Sequence, residues 1–424
     1  MGIYCEYVNG WESGSSGESG YGKHNDDSSN SDHLGLSLPV AVPSPPAGIN
    51  MGSYCQFYDH SSEQSSTNSR IPLVTAHAQG SIGFMWRPQT NPSSLGGVGP
   101  PTFVTMLGID NTSLGGISVG WNTSKQLCIA DYGGTSYKAT STTFDAASPA
   151  WYWVVLGWDN VAHSETPSLS NYVRLGIWDD SRNLVEMISI AGEAMTSGLT
   201  LQNLVFGSVW PTSEIVGFYI DNVMVVKGSA WPPIAPDFDS VVMSSINLNS
   251  TAMVKYDGND NGSPAEVTMI DEIPAVDTDD YLKVVANSSL ITQYWNPVAF
   301  GTLGTVHAVG ATMRHWQNSF AGAGGQIGIR LGTAQTVSSL LFVRDRSDAR
   351  ADSVWGYRAY VFRATVPGAV PVPWTSDNVT NTLIVTSLRP IGTDASRECR
   401  VSQVVMYCVH GGDIFNAYPA GSVV

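Results

Sequence analysis

Charged side chains are scarce in this chain of 424 residues: Asp, Glu, Lys and Arg together make up 13% of it, about half the share usual in globular proteins. Basic residues are the scarcest, 20 Lys and Arg against 36 Asp and Glu, for a formal net charge of −16. A chain so poor in Glu, Lys and Arg lacks the residues that build solvent-facing helices, so strands and turns are expected to form its core. With no basic stripe to displace counterions from phosphates, nucleic acid is excluded as a partner. Long apolar runs are missing as well. The best are strand-sized, short of the roughly 18 residues of a membrane-spanning helix, so no membrane partner is expected. Met1–Trp11 has neither a basic start nor an apolar stretch; no secretory signal is expected there, and synthesis in a cytosol is.

Cysteine is sparse and unpaired in pattern. Cys5, Cys55, Cys128, Cys399 and Cys408 are odd in number and contain no Cys-x-x-Cys, which excludes a zinc ribbon. Buried thiols on strands are expected, with Cys5 and Cys55 the one pairing left open. The eight histidines are scattered, and neither a Gly-x-Ser-x-Gly elbow nor a phosphate loop occurs. Asp59-His60-Ser61 sets triad residue types side by side, but a triad is assembled in space and has no such local signature. No catalytic residue is assigned, and the expectation is a protein that is not an enzyme.

Gly (43), Pro (23) and Trp (13) are plentiful instead. Short runs of apolar and β-branched residues recur between Asn, Gly, Asp and Pro clusters, among them 83–87, 103–108, 117–121, 126–130, 151–158, 172–178 and 218–226. Trp178-Asp179-Asp180-Ser181-Arg182-Asn183 reads as a hairpin turn. A second series follows at 306–314, 325–331, 340–344, 358–364, 381–387 and 399–409. This rhythm predicts an all-β protein of two tandem antiparallel β-sandwich domains of the jelly-roll kind. The expected boundaries are a first domain at 1–228, with a mobile Ser-, Gly- and Asn-rich loop at about 12–35, a connector at 229–270, and a second domain at 271–424.

The order of elements narrows this further. A strand at residue 3, one near 54, tryptophan-bearing strands and a closing Tyr219-Ile220-Asp221-Asn222-Val223-Met224-Val225-Val226 precede an acidic element, Asp271-Glu272-Ile273-Pro274-Ala275-Val276-Asp277-Thr278-Asp279-Asp280-Tyr281. That order resembles bacteriophage virion proteins in which a laminin-G or concanavalin-A-like sandwich is followed by a second β-rich domain. The resemblance implies a structural component of a virion exterior, whether tail, fibre, baseplate or capsid decoration. It implies as partners other virion proteins and copies of the chain itself, and as location the virion, after synthesis in a host cytoplasm. The loop at 13–35 is longer than the resemblance suggests, and 227–256 has no counterpart in it.

Two kinds of site are weighed. Asp257, Asn259 and Asn261 carry oxygen donors at the first, third and fifth places of a calcium-type loop, but the twelfth place is Thr268 rather than Glu, so a solvated turn is the plainer reading. Asp271, Glu272, Asp277, Asp279 and Asp280 could hold calcium or form an acidic turn; no other cofactor is expected. The dense tryptophans of the first domain are mostly core by their alternation. Trp121, Trp178 and Trp210 are the candidates for stacking on a host-surface glycan. A glycan-binding tail-fibre module is therefore the alternative function. A polysaccharide-degrading enzyme ranks last, because it needs two carboxylates facing each other across a cleft and the acids here fall mainly in turns.

Overall fold

The computed structural model describes residues 4–9, 40–46, 51, 54–59, 68–89, 103–111, 115–122, 126–131, 137–141, 150–159, 172–181, 183–190, 201–207, 217–227, 241–246, 248–252, 281–285, 291–297, 305–317, 324–331, 341–343, 356–363, 365–366, 372–389 and 398–411. The described chain is all-β apart from one helical turn, every strand pairing is antiparallel, and two compact units meet in sequence between Ser240 and Val241.

The first unit holds β1 (Tyr4–Asn9), β2 (Val40–Ala41), β3 (Tyr54–Asp59), β4 (Asn68–His77), β5 (Gln79–Pro88), β6 (Phe103–Asn111), β7 (Gly115–Asn122), β8 (Leu127–Asp131), β9 (Tyr137–Thr140), β10 (Tyr152–Asp159), β11 (Tyr172–Trp178), β12 (Leu184–Ile190), β13 (Leu201–Gly207) and β14 (Gly217–Lys227). One sheet runs β12-β11-β10-β5-β14-β3-β2, with β1 also on β14; the other runs β4-β13-β6-β7-β8-β9. Side chains alternate faces along a strand. Phe84 therefore shares the inner face with its cross-strand neighbours Val154 and Ile177, and it meets Phe206 of the opposite sheet edge-on, centroids 5.5 Å apart. Tyr58 stacks on Phe218 in the same layer at 5.4 Å. Both sheets thus bury one face against the other, as the sequence pattern predicts.

The Ile220-Asp221-Asn222-Val223 stretch has a local mechanical role. The register of β14 on β5 shifts between Asp221 and Met224, and Asn222 takes a left-handed φ of 47°, which Asn tolerates better than most residues. The Asp221 carboxylate accepts the Asn222 N–H at 2.7 Å and fixes the bulge. Before it β14 pairs with β3, and after it with β1, so one strand serves two edge partners. The turn at 178–183 is also local chemistry: Asp179 Oδ1 accepts the backbone N–H groups of Ser181 (3.0 Å) and Asn183 (2.8 Å), an Asx turn joining β11 to β12.

The second unit holds β15 (Val241–Ile246), β16 (Leu248–Ala252), β17 (Leu282–Val285), β18 (Ile291–Pro297), β19 (Thr305–Gln317), β20 (Gly324–Leu331), β21 (Leu341–Val343), β22 (Gly356–Arg363), α1 (Ser376–Thr380), β23 (Thr382–Arg389) and β24 (Glu398–Gly411). Its sheets run β15-β24-β19-β22, with β17 also on β24, and β16-β18-β23-β20-β21. Trp295, Ile327, Ile329 and Ile384 of the latter pack with Val309, Met313, Val404 and Met406 of the former. Within the stretch expected as a connector at 229–270, Val241–Ile246 and Leu248–Ala252 are strands on β24 and β18. The Val-Val-Met-Ser-Ser-Ile run has strand composition, hidden in sequence by its Asn- and Ser-rich surroundings.

Candidate functional site

The outer face of the eight-stranded sheet is where the first unit concentrates unusual residues. Alternation puts Met85, Trp153 and Trp178 in one cross-strand row, and Gly83, Val155, Gly176 and Met187 in the next. The glycines let the indoles lie flat. A Cβ on Gly83 would stand 2.5 Å from Trp153 Cζ2, and one on Gly176 would enter the ring of Trp178. Trp151, Trp153, Trp178, Met85, Val155, Cys55 and Met51 form a cluster, with Val40, Val42, Met187 and Tyr219 packed against it. The Pro-rich segment is tied down where Trp151 Nε1 donates to the Pro43 carbonyl at 2.9 Å. Buried apolar side chains of this size each contribute roughly 1.5–3 kcal/mol, so this is a second core on what would otherwise be an open face.

At one end of the face the cover is partial. Phe57, Tyr219 and Arg87 are register neighbours on β3, β14 and β5, all three half-buried. The Phe57 and Tyr219 centroids lie 4.7 Å apart at 37°, and the Arg87 guanidinium sits 5.8 Å from the Tyr219 centroid. Burial pushes the Tyr219 phenol above its ordinary value; Arg87 pulls it down and Cys55 raises it, both to a smaller degree. Two acids with described side chains on this face are hidden. Asp221 is fully buried, and Asp159 is buried and accepts from Gln79 Nε2 at 3.0 Å.

A second polar cluster lies on the second unit. The Arg400 guanidinium is 4.3 Å from the Trp316 ring centre and 4.5 Å from that of Tyr281, and it is ion-paired with Glu398. Tyr281 closes the acidic element of the sequence, so this clamp ties the end of that element to β24. Farther in, Trp295 Nε1 donates to Thr386 Oγ1 at 2.9 Å.

Trp178, a stacking candidate, is 7% exposed, its ring over Gly176 within the cluster. Trp121 is in β7, and its side chain lies outside the described residues, as does Trp210 altogether. Asp257, Asn259, Asn261, Asp271, Glu272, Asp277, Asp279 and Asp280 likewise lie outside them. Among the described residues no group of three or more His, Cys, Asp or Glu is gathered as for a metal ion. Cys55 is a buried thiol rather than half of a disulfide with Cys5. No described helix is long and apolar enough to cross a membrane. Phe57, Tyr219 and Arg87 were not singled out by sequence reasoning. The signal available was the alternation of β3, β5 and β14, which places all three on one face once register is known.

No protein family and no curated protein matches the chain. Solved structures match parts of it at low identity. The cellulose induced protein Cip1 is 10% identical over 45% of this chain and 85% of that one, TM-score 0.31. A seed lectin of Lotus tetragonolobus is 8% identical over 41% and 88%, TM-score 0.28. The GH43 protein BlXynB of Bacillus licheniformis is 8% identical over 47% and 36%, TM-score 0.30. Likeness this slight speaks to no activity.

Proposed function

We propose that the chain is a non-enzymatic structural component on the exterior of a bacteriophage virion, acting by packing against other virion proteins and copies of itself. The observation that carries this reading is the covered part of the outer face: the broadest sheet of the first unit buries Trp151, Trp153 and Trp178 in an apolar cluster where a ligand groove could lie. Such a face stabilises a module and leaves its edges and loops for neighbours. The virion context is supported by the resemblance of the 219–226 strand and the 271–281 element. An enzyme acting on polysaccharides would need a pair of accessible carboxylates, and Asp159 and Asp221 on this face are buried. Cryo-electron microscopy of purified particles tests the reading: density for two all-β units at a fixed, symmetric position is expected, and particles lacking the chain would overturn it. The second reading, a glycan-binding fibre module, is favoured by the half-open Phe57–Tyr219–Arg87 row.

A further inference from the structure

We propose that the open end of the first unit's outer face, built on Phe57, Tyr219, Arg87 and Gln89, binds a glycan through a hexuronate residue. This deepens the glycan-binding reading and does not rest on the virion one. Adjacent strands lie about 4.8 Å apart, close to the length of one pyranose, so a row across three strands suits two consecutive sugars. Phe57 and Tyr219 supply the aromatic part. Their rings are half-buried and neighbouring, and the negative face of an aromatic ring meets the weakly positive C–H bonds of a pyranose. Arg87 supplies the charge. Its planar fork of donors matches a carboxylate in bidentate fashion, and in a chain of net charge −16 attraction for an acidic sugar has to come from a local cation.

Gln89 supplies an amide for hydroxyls. It is exposed and continues the ladder, its N–H donating to the Gly217 carbonyl at 2.8 Å. Gly217 lacks a Cβ where the Gln89 Oε1 and the edge of Phe57 lie, so the amide is held against that ring. Trp151 is the fixed floor: its centroid is 6.3 Å from that of Tyr219 and its N–H is spent on Pro43. The site therefore presents aromatic rings, a guanidinium and a carboxamide side by side on rigid strands.

Isothermal titration of the full chain with tetragalacturonate, and with cellotetraose as the neutral probe, tests this. Saturable binding of the uronate is expected, at least about tenfold tighter than cellotetraose. Arg87→Met and Tyr219→Ala should each weaken it by about tenfold or more, while Arg174→Met, on the same face far from the row, should leave it unchanged. Circular dichroism checks that each variant folds. Should Tyr219→Ala fail to fold, the exposed Gln89→Ala takes its place with an expected loss of several-fold. No saturable binding of tetragalacturonate, equal affinity for cellotetraose, or unchanged affinity in Arg87→Met each overturns the proposal. A chain found on particles that binds neither saccharide refutes this inference alone; one that binds the uronate and is absent from particles refutes the virion reading alone.

Discussion

Trp153 and Trp178 in the first unit lie on glycines, whereas Trp316 in the second carries a guanidinium. Both devices cover the outside of a sheet, and they differ in what they demand of the sequence. A flat indole needs a position without Cβ directly beneath it, and it gives an apolar cover that removes that part of the face from water. A clamped arginine needs only a second ring and a carboxylate, here Tyr281 and Glu398, and leaves the face half-wet. The inner layers differ in the same sense. The first unit fills its sandwich with Tyr58, Phe84, Trp86, Trp158, Phe206 and Phe218, while the second relies on Val, Ile, Met and Cys around Trp295 and Trp374. The lesson is that the first unit's stability depends on shape at a few glycines, and the second's on small apolar groups and on polar partners.

Alkaline pH should separate the two most strongly. Burial pushes the Cys408 thiol in the second unit from 9.0 up to about 12. A folded-state pKa raised above the unfolded one contributes stability that is fully present below pH 9 and lost as pH rises toward 12, roughly 4 kcal/mol at the limit. Denaturant midpoints of the second unit should fall over that window, and Cys408→Ala should flatten the dependence. Tyr219 in the first unit is raised mainly by burial with Arg87 opposing, so its contribution is lost only above pH 10.

Next in size is Gly83→Ala. Its Cβ would force the Trp153 ring off the sheet, costing about 2–3 kcal/mol as overpacking. Denaturation followed by tryptophan fluorescence should show it, with the loss partly relieved in Gly83→Ala/Trp153→Leu because the two positions are coupled. A parallel change in the second unit, Trp295→Phe, removes the buried donor to Thr386 and should cost about 2 kcal/mol. The smallest effect is expected for Arg400→Leu, about 1 kcal/mol. High salt should weaken the Glu398 part of that contribution while sparing the ring contacts; equal losses with and without salt would show that the clamp works by stacking alone.

Strand existence was legible wherever large apolar residues alternate between turn signals, as in β10, β11 and β14. Where polar residues dominate, it was not. β4 contains Pro72, which normally demotes a run. The structure tolerates it because β4 is an edge of its sheet, with β13 on one side only among the described strands. Strands β13, β15 and β16 were hidden by Asn and Ser in the same way. The shared face of Trp151 and Trp153 could be read from period two. That the face is covered could not, because its lid comes from Val40 and Val42, more than a hundred residues earlier in sequence and brought there by the pairing of β2 with β3. The burial of Trp178 was hidden for that reason: alternation gives the side of a sheet, and only tertiary structure says what lies against it.

Hydroxyl-radical footprinting of the intact chain, read residue by residue by mass spectrometry, tests the sealed face most directly. The account predicts that Trp151, Trp153 and Trp178 are protected while Phe57 and Tyr219 are oxidised; oxidation of Trp153 and Trp178 as fast as that of Tyr219 would contradict it and return the face to the ligand-binding readings.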